Sequence, residues 1–150
     1  MGIFNESTEN KLNDLLEKAY DAEKGFEKAC ENVDSTRLKS FFKSKAEERR
    51  GFRSELRNSL VANGMQVEEK DGSVAGRLHR VWMDTKALFS TDNEESMLEE
   101  VRNGEKAALE DYDDVLESCT VDSSTKQVLQ KQRSAIQASC NKADYLEDIL

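Results

Sequence analysis

The sequence predicts an all-α fold, a bundle of four long amphipathic helices in one domain spanning residues 1–150. Three observations carry that expectation. The 150 residues contain no proline, and uninterrupted helices tolerate that lack better than turn-rich sheets do. Hydrophobic and charged residues stand at 37% and 35%, a balance rich enough in apolar side chains for a core and dominated by helix formers. Apolar residues recur at steps of three and four along four separate stretches, one helical face each.

The first helix is predicted over residues 8–33, on a stripe of Leu12, Leu15, Ala19, Ala22, Phe26, Cys30 and Val33, with Ser7 or Thr8 as N-cap. Asp34 or Ser35 caps a second helix over residues 36–62, whose stripe reads Leu38, Phe41, Phe42, Lys45, Glu48, Phe52, Leu56 and Leu60. Asn63-Gly64 carries a helix-ending glycine signal, and the polar run to Gly72 reads as a turn. A shorter helix is predicted over residues 73–89, a fourth over 94–119 on Leu98, Val101, Ala108, Tyr112 and Val115, and a last over 125–149. In the last, Gln132 and Ser139 fall in phase with Leu129, Ile136 and Ala143.

The connections near Asp34 and Val121 are short, so each flanking pair folds back as an antiparallel hairpin. Helices of roughly 25 residues are about 37–40 Å long at about 1.5 Å per residue. Some 30 residues separate the hairpins, enough to travel that length. Two hairpins joined by one crossover is the ferritin-like topology; an up-down-up-down bundle with the short helix over one end is the alternative.

The net charge of −9 disfavours nucleic acid as a partner. No apolar run reaches the length of a membrane span, and the N-terminus lacks a signal-peptide layout. A myristoylation motif would need Ser or Thr where Glu6 stands. A cytoplasmic protein is expected. Cys30, Cys119 and Cys140 read as buried or half-buried thiols of a reducing compartment, with a redox or metal role as the other reading.

Charged residues that interrupt the apolar stripes are the candidate site. Glu105 sits in phase between Val101 and Ala108, Glu48 in phase between Phe41 and Phe52, and Glu23 flanks the first stripe. All three lie near mid-helix, so they share one layer. Carboxylates meeting there are the raw material of a di-iron or di-manganese centre, which also needs Glu-x-x-His from two helices. That motif is absent, and the single histidine, His79, lies on the short helix. One reading pairs the glutamates with Arg49, Arg53, Arg102 or Arg133 in an ion network. The other makes Glu23, Glu48, Glu105 and His79 a partial site for iron, manganese or zinc.

The segment 72–86, Gly-Ser-Val-Ala-Gly-Arg-Leu-His-Arg-Val-Trp-Met-Asp-Thr-Lys, resembles the signature of a bacterial four-helix-bundle family of unknown function grouped with the ferritin-like superfamily. Leu12-Asn13-Asp14-Leu15-Leu16 with Asp21 to Phe26, and Gly104-Glu105-Lys106-Ala107-Ala108-Leu109, resemble the same family. The resemblance implies fold far more than activity. It also implies a histidine in the final helix near Cys140, so a family metal site is altered here, a thiol favouring softer ions such as zinc. The resulting expectation is a non-enzymatic bundle, a structural, stress-associated or interaction module that forms homo-oligomers or meets a helical partner. A metal-binding protein with a degenerate carboxylate site is the alternative.

Overall fold

The computed structural model describes residues 4–67 and 94–148. They form four helices: α1 (Glu6–Asn32), α2 (Thr36–Ala62), α3 (Glu94–Ser118) and α4 (Ser123–Asp148). The helix expected over residues 73–89, with His79 and Trp82, lies outside the described residues.

The helix ends follow from local chemistry. Asn5, not Ser7 or Thr8, caps α1, its Oδ1 accepting the Thr8 N–H at 2.8 Å; Thr8 is instead buried in the first turn. Ser35 caps α2 by accepting the Leu38 N–H at 3.3 Å. At the other end of α2, Gly64 adopts a φ of 79°, where a side chain is disfavoured. The Met65 N–H bonds the Leu60 carbonyl and the Gly64 N–H bonds that of Val61, the paired bonds of a Schellman stop. Met65 then tucks into the core beside Leu60, so the run after α2 begins buried and not polar. Asp122 starts α4, accepting the Thr125 N–H at 3.2 Å.

The contacts between helix ends define the topology. Lys11 and Lys18 of α1 pair with Asp114 and Asp111 of α3 at 2.9 and 2.8 Å, so the first half of α1 lies beside the second half of α3. Ser59 and Glu55 of α2 meet Thr125 and Lys131 of α4, again end to start. The Ser35 N–H reaches Glu94 at 3.4 Å, which places the start of α3 at the α1–α2 turn. Hence α2 and α3 run in the same direction, and the end of α2 and the start of α3 lie at opposite ends of the bundle. Two hairpins joined by a crossover fit these contacts, and up-down-up-down does not. The packed neighbours are α1 with α2, α3 with α4, α2 with α4 and α1 with α3, leaving α2 and α3 at opposite corners.

The core has two halves. Around one end, Leu12, Leu15, Phe52, Leu56, Val115 and Leu129 pack together. Around the other, Phe26, Leu38, Phe42, Leu98, Val101 and Leu146 do so, with Phe26 stacked on Phe42 at 6.3 Å between ring centroids. Between the halves every helix contributes a buried polar or charged residue: Glu23, Arg49, Glu105 and Ser139.

Candidate functional site

Glu105 occupies a core position of α3, one turn from Val101 and from Leu109, and is 3% exposed. Its Oε1 accepts a hydrogen bond from Nη2 of Arg49, itself 4% exposed. The donor comes from α2 and the acceptor from α3, so this charge-assisted bond crosses the bundle between opposite corners. The Arg49 guanidinium carbon lies 5.6 Å from the Phe26 ring centroid and 5.7 Å from that of Phe52, within cation–π range of both. The satisfaction is incomplete. Among the described residues, Arg49 Nε and Glu105 Oε2 have no hydrogen-bond partner.

Glu23 is buried between α1 and α2 and faces three other cations, Lys24 at 3.8 Å and two arginines of α2. Arg50 Nε donates to its Oε2 at 3.1 Å. Arg53 Nη2 lies 3.3 Å from its Oε1, an ion-pair contact without hydrogen-bond alignment. Arg50 reaches on to Glu27 at 3.1 Å, and Arg53 stacks over Tyr20 at 4.9 Å. Glu23 thereby holds up the boundary between the hairpin's core and its surface.

Glu48 is not a core residue. Its side chain is 27% exposed and pairs with Lys45 three residues earlier at 3.4 Å. The buried residues of α2 are Leu38, Phe41, Phe42, Ala46, Arg49, Phe52, Leu56 and Leu60, so between Phe42 and Phe52 the buried face runs one residue out of step with the stripe that places Lys45 and Glu48 inside. Both spacings are helical. The inner one prevails because Ala46 lets the helices approach where Lys45 could not, and because Arg49 finds Glu105 across the core.

Of the four residues proposed as metal ligands, Glu23 and Glu105 therefore share the buried layer, Glu105 against Arg49 and Glu23 against Arg50 and Arg53. Glu48 stands outside it, and His79 lies outside the described residues. Among the described residues, no three His, Cys, Asp or Glu side chains gather as a metal-binding group. Arg133, also expected near the glutamates, pairs instead with Asp113 of α3, Nη2 to Oδ2 at 3.1 Å.

A second buried polar chain adjoins the layer. Tyr112 donates to Gln132 Oε1 at 2.7 Å. Gln132, fully buried, donates through Nε2 to the Phe52 carbonyl at 3.1 Å and to Glu55 at 3.2 Å. Lys131 closes the chain on Glu55 at 2.9 Å; that bond, helped by Gln132, holds the Glu55 carboxyl below its ordinary range. Burial pushes the Tyr112 phenol well above its usual ionisation range. Sequence reasoning places Gln132 and Ser139 in the core, as observed. It also names Arg49 and Arg53 among the partners of the glutamates, where both are found, but leaves Arg49 out of the buried stripe of α2, for which the small Ala46 one turn before it is the signal.

None of the three cysteines forms a disulfide; Cys140 is buried, and Cys30 and Cys119 are half-buried. No described helix is long and apolar enough to cross a membrane. The chain matches no curated protein. A family model described only as a domain of unknown function (DUF2383) matches residues 7–118, from the first turn of α1 to the last residue of α3. Three helices make up most of the described part of that match, and by it the chain belongs to the DUF2383 family.

Proposed function

We propose that this chain is a non-enzymatic, ferritin-like bundle, a cytoplasmic structural, stress-associated or interaction module that meets a second copy of itself or another helical protein through its exposed helix faces. One observation carries the reading: the buried carboxylates of the middle layer are served by guanidinium groups. Arg49 sits on Glu105, and Arg50 and Arg53 sit on Glu23. A di-metal oxidoreductase needs those carboxylates for its metals, together with Glu-x-x-His pairs. Here protein cations stand against the same oxygens, so the described donors do not fit a di-metal centre. The two hairpins and their crossover support the ferritin-like comparison. The acidic surface, net charge −9, speaks for protein partners over nucleic acid.

Elemental analysis of untagged protein, paired with light scattering for its mass in solution, tests this. The reading expects less than a tenth of an equivalent of iron, manganese or zinc and a discrete oligomer or captured helical partner. Stoichiometric metal, lost in Glu23→Ala and Glu105→Ala variants that remain folded, overturns it in favour of a metal-binding protein.

A further inference from the structure

The charges of the bundle are sorted by helix. α2 carries eight lysines and arginines against three acidic residues, and α3 carries two against ten. These two helices stand at opposite corners, so a basic edge and an acidic edge face away from each other. Like charges one turn apart repel, and mixing the signs within each helix would relieve that repulsion.

The order of charges on each face is more specific than its net sign. On α2, Lys39, Lys43 and Glu47 are exposed and spaced by four, a row along one side of the helix with signs plus, plus, minus. On α3, Lys106, Glu110 and Asp114 are exposed and spaced by four, reading plus, minus, minus. Laid antiparallel, the rows match in register: Lys39 opposite Asp114, Lys43 opposite Glu110 and Glu47 opposite Lys106. Both rows step by about 6 Å, so one match carries the other two. Laid parallel with Glu47 on Lys106, Lys43 instead meets Arg102. The charges at the middle of the match are uncommitted: among the described residues, Lys43, Glu47, Lys106 and Glu110 form no ion pair. At its end, Lys39 donates to the Cys30 carbonyl at 3.1 Å and Asp114 holds Lys11 at 2.9 Å, yet both remain exposed. Within one chain the rows cannot meet, because they lie on opposite corners.

We propose that the outer face of α2 docks antiparallel on the outer face of α3 of a second copy. This rests on the module reading and names both its partner and its surface. Each docked copy keeps its other face free, so the contact repeats head to tail as an open chain in place of a closed pair. The net charge of −9 opposes random approach of two copies, and the complementary faces set the orientation that survives. Single ion pairs on exposed faces contribute little, and salt screens them. The assembly is therefore weak and salt-sensitive.

Sedimentation velocity on the full chain over a concentration series tests this at about 50 and about 500 mM salt. At the lower salt the average mass should climb with concentration past a dimer; at the higher it should fall back toward 17.0 kDa. Lys43→Glu and Glu110→Lys should each weaken association about tenfold, with helicity kept because both positions are exposed. Mixing the two variants, or placing both changes in one chain, should restore it, since opposite charges then face each other again. Assembly that withstands both single changes, or that the double variant does not recover, overturns this docking and leaves the module reading in place on another face. A mass that stops at a dimer overturns the head-to-tail contact. Wild type that stays at 17.0 kDa at the lower salt overturns the docking as well, and leaves the module reading only its helical partner.

Discussion

Replacing Arg49 by methionine alone leaves Glu105 charged, 3% exposed and without the hydrogen bond it accepts from Arg49. Removing one member of a buried ion pair costs about 3–5 kcal/mol, because the remaining charge is stranded. Methionine keeps an unbranched apolar chain between Phe26 and Phe52, so the packing term adds little. Glu105→Leu strands the guanidinium instead. The two aromatic faces return about 0.5–2 kcal/mol to it, placing that variant near the lower end, about 3 kcal/mol. The double variant Arg49→Met/Glu105→Leu strands nothing, and it should lie within about 1–2 kcal/mol of the wild type or exceed it. The singles thus sum to about 6–8 kcal/mol while the pair costs about zero, a non-additivity of several kcal/mol. Urea unfolding at neutral pH reads this directly. At a slope of about 2 kcal/mol per molar, each single change lowers the midpoint by about 1.5–2.5 M with the slope unchanged. Singles that each cost less than about 1 kcal/mol, or that add up in the double variant, would refute the claim that these charges are buried and mutually dependent.

Three further outcomes follow from the same structure. Gln132→Leu removes the partner of the buried Tyr112 hydroxyl and of the Phe52 carbonyl, costing about 1–3 kcal/mol in urea unfolding; adding Tyr112→Phe should restore part of that loss, and no restoration would break the link. Hydrogen bonds from Lys131, Arg133 and Lys11 hold the carboxyls of Glu55, Asp113 and Asp114 below their ordinary values of 4.5, 3.8 and 3.8. Lowered folded-state values contribute stability above those ordinary values and lose it as pH falls through the folded ones. Urea midpoints should therefore drop from about pH 4.5 downward, and less steeply in Lys131→Met, whereas an unchanged acid limb in that variant would count against the Glu55 contact. Gly64→Ala forces a side chain into the φ of 79° and should cost about 1 kcal/mol, about 2–4 °C in a thermal melt; an unchanged melting temperature would dismiss the strain.

Much of this was legible in the sequence. The hairpins, the helix-stopping Gly64, the Ser35 cap and the in-phase burial of Gln132, Ser139 and Glu105 all follow from period and local chemistry. These features are set within one helix or one turn, and a single chain segment reports them. Arg49 and Glu48 show where such reading stops. Leu38, Phe41, Lys45, Glu48, Phe52 and Leu38, Phe42, Ala46, Arg49, Phe52 are both helical in spacing, the first with two charged residues in it and the second with one. The choice between them is made on α3, by a glutamate 56 residues away in sequence. The cap of α1 was misread for a smaller reason: Asn5, Ser7 and Thr8 are all competent caps, and only the backbone decides which one is used.

The Arg49–Glu105 bond also bears on which alignment of the two hairpins is allowed. The apolar halves of the core are built from Leu, Val and Phe, which pack almost as well after one hairpin slides a single turn, about 5.4 Å, along the other. After such a slip Arg49 would face the level of Val101 or Leu109, and Glu105 would face Ala46 or Phe52. Both charges would then lie on hydrocarbon, each at the cost of a stranded buried ion. A single cross-corner bond therefore acts as a register key, raising every offset pairing of the hairpins in energy whatever it adds to the stability of the correct one.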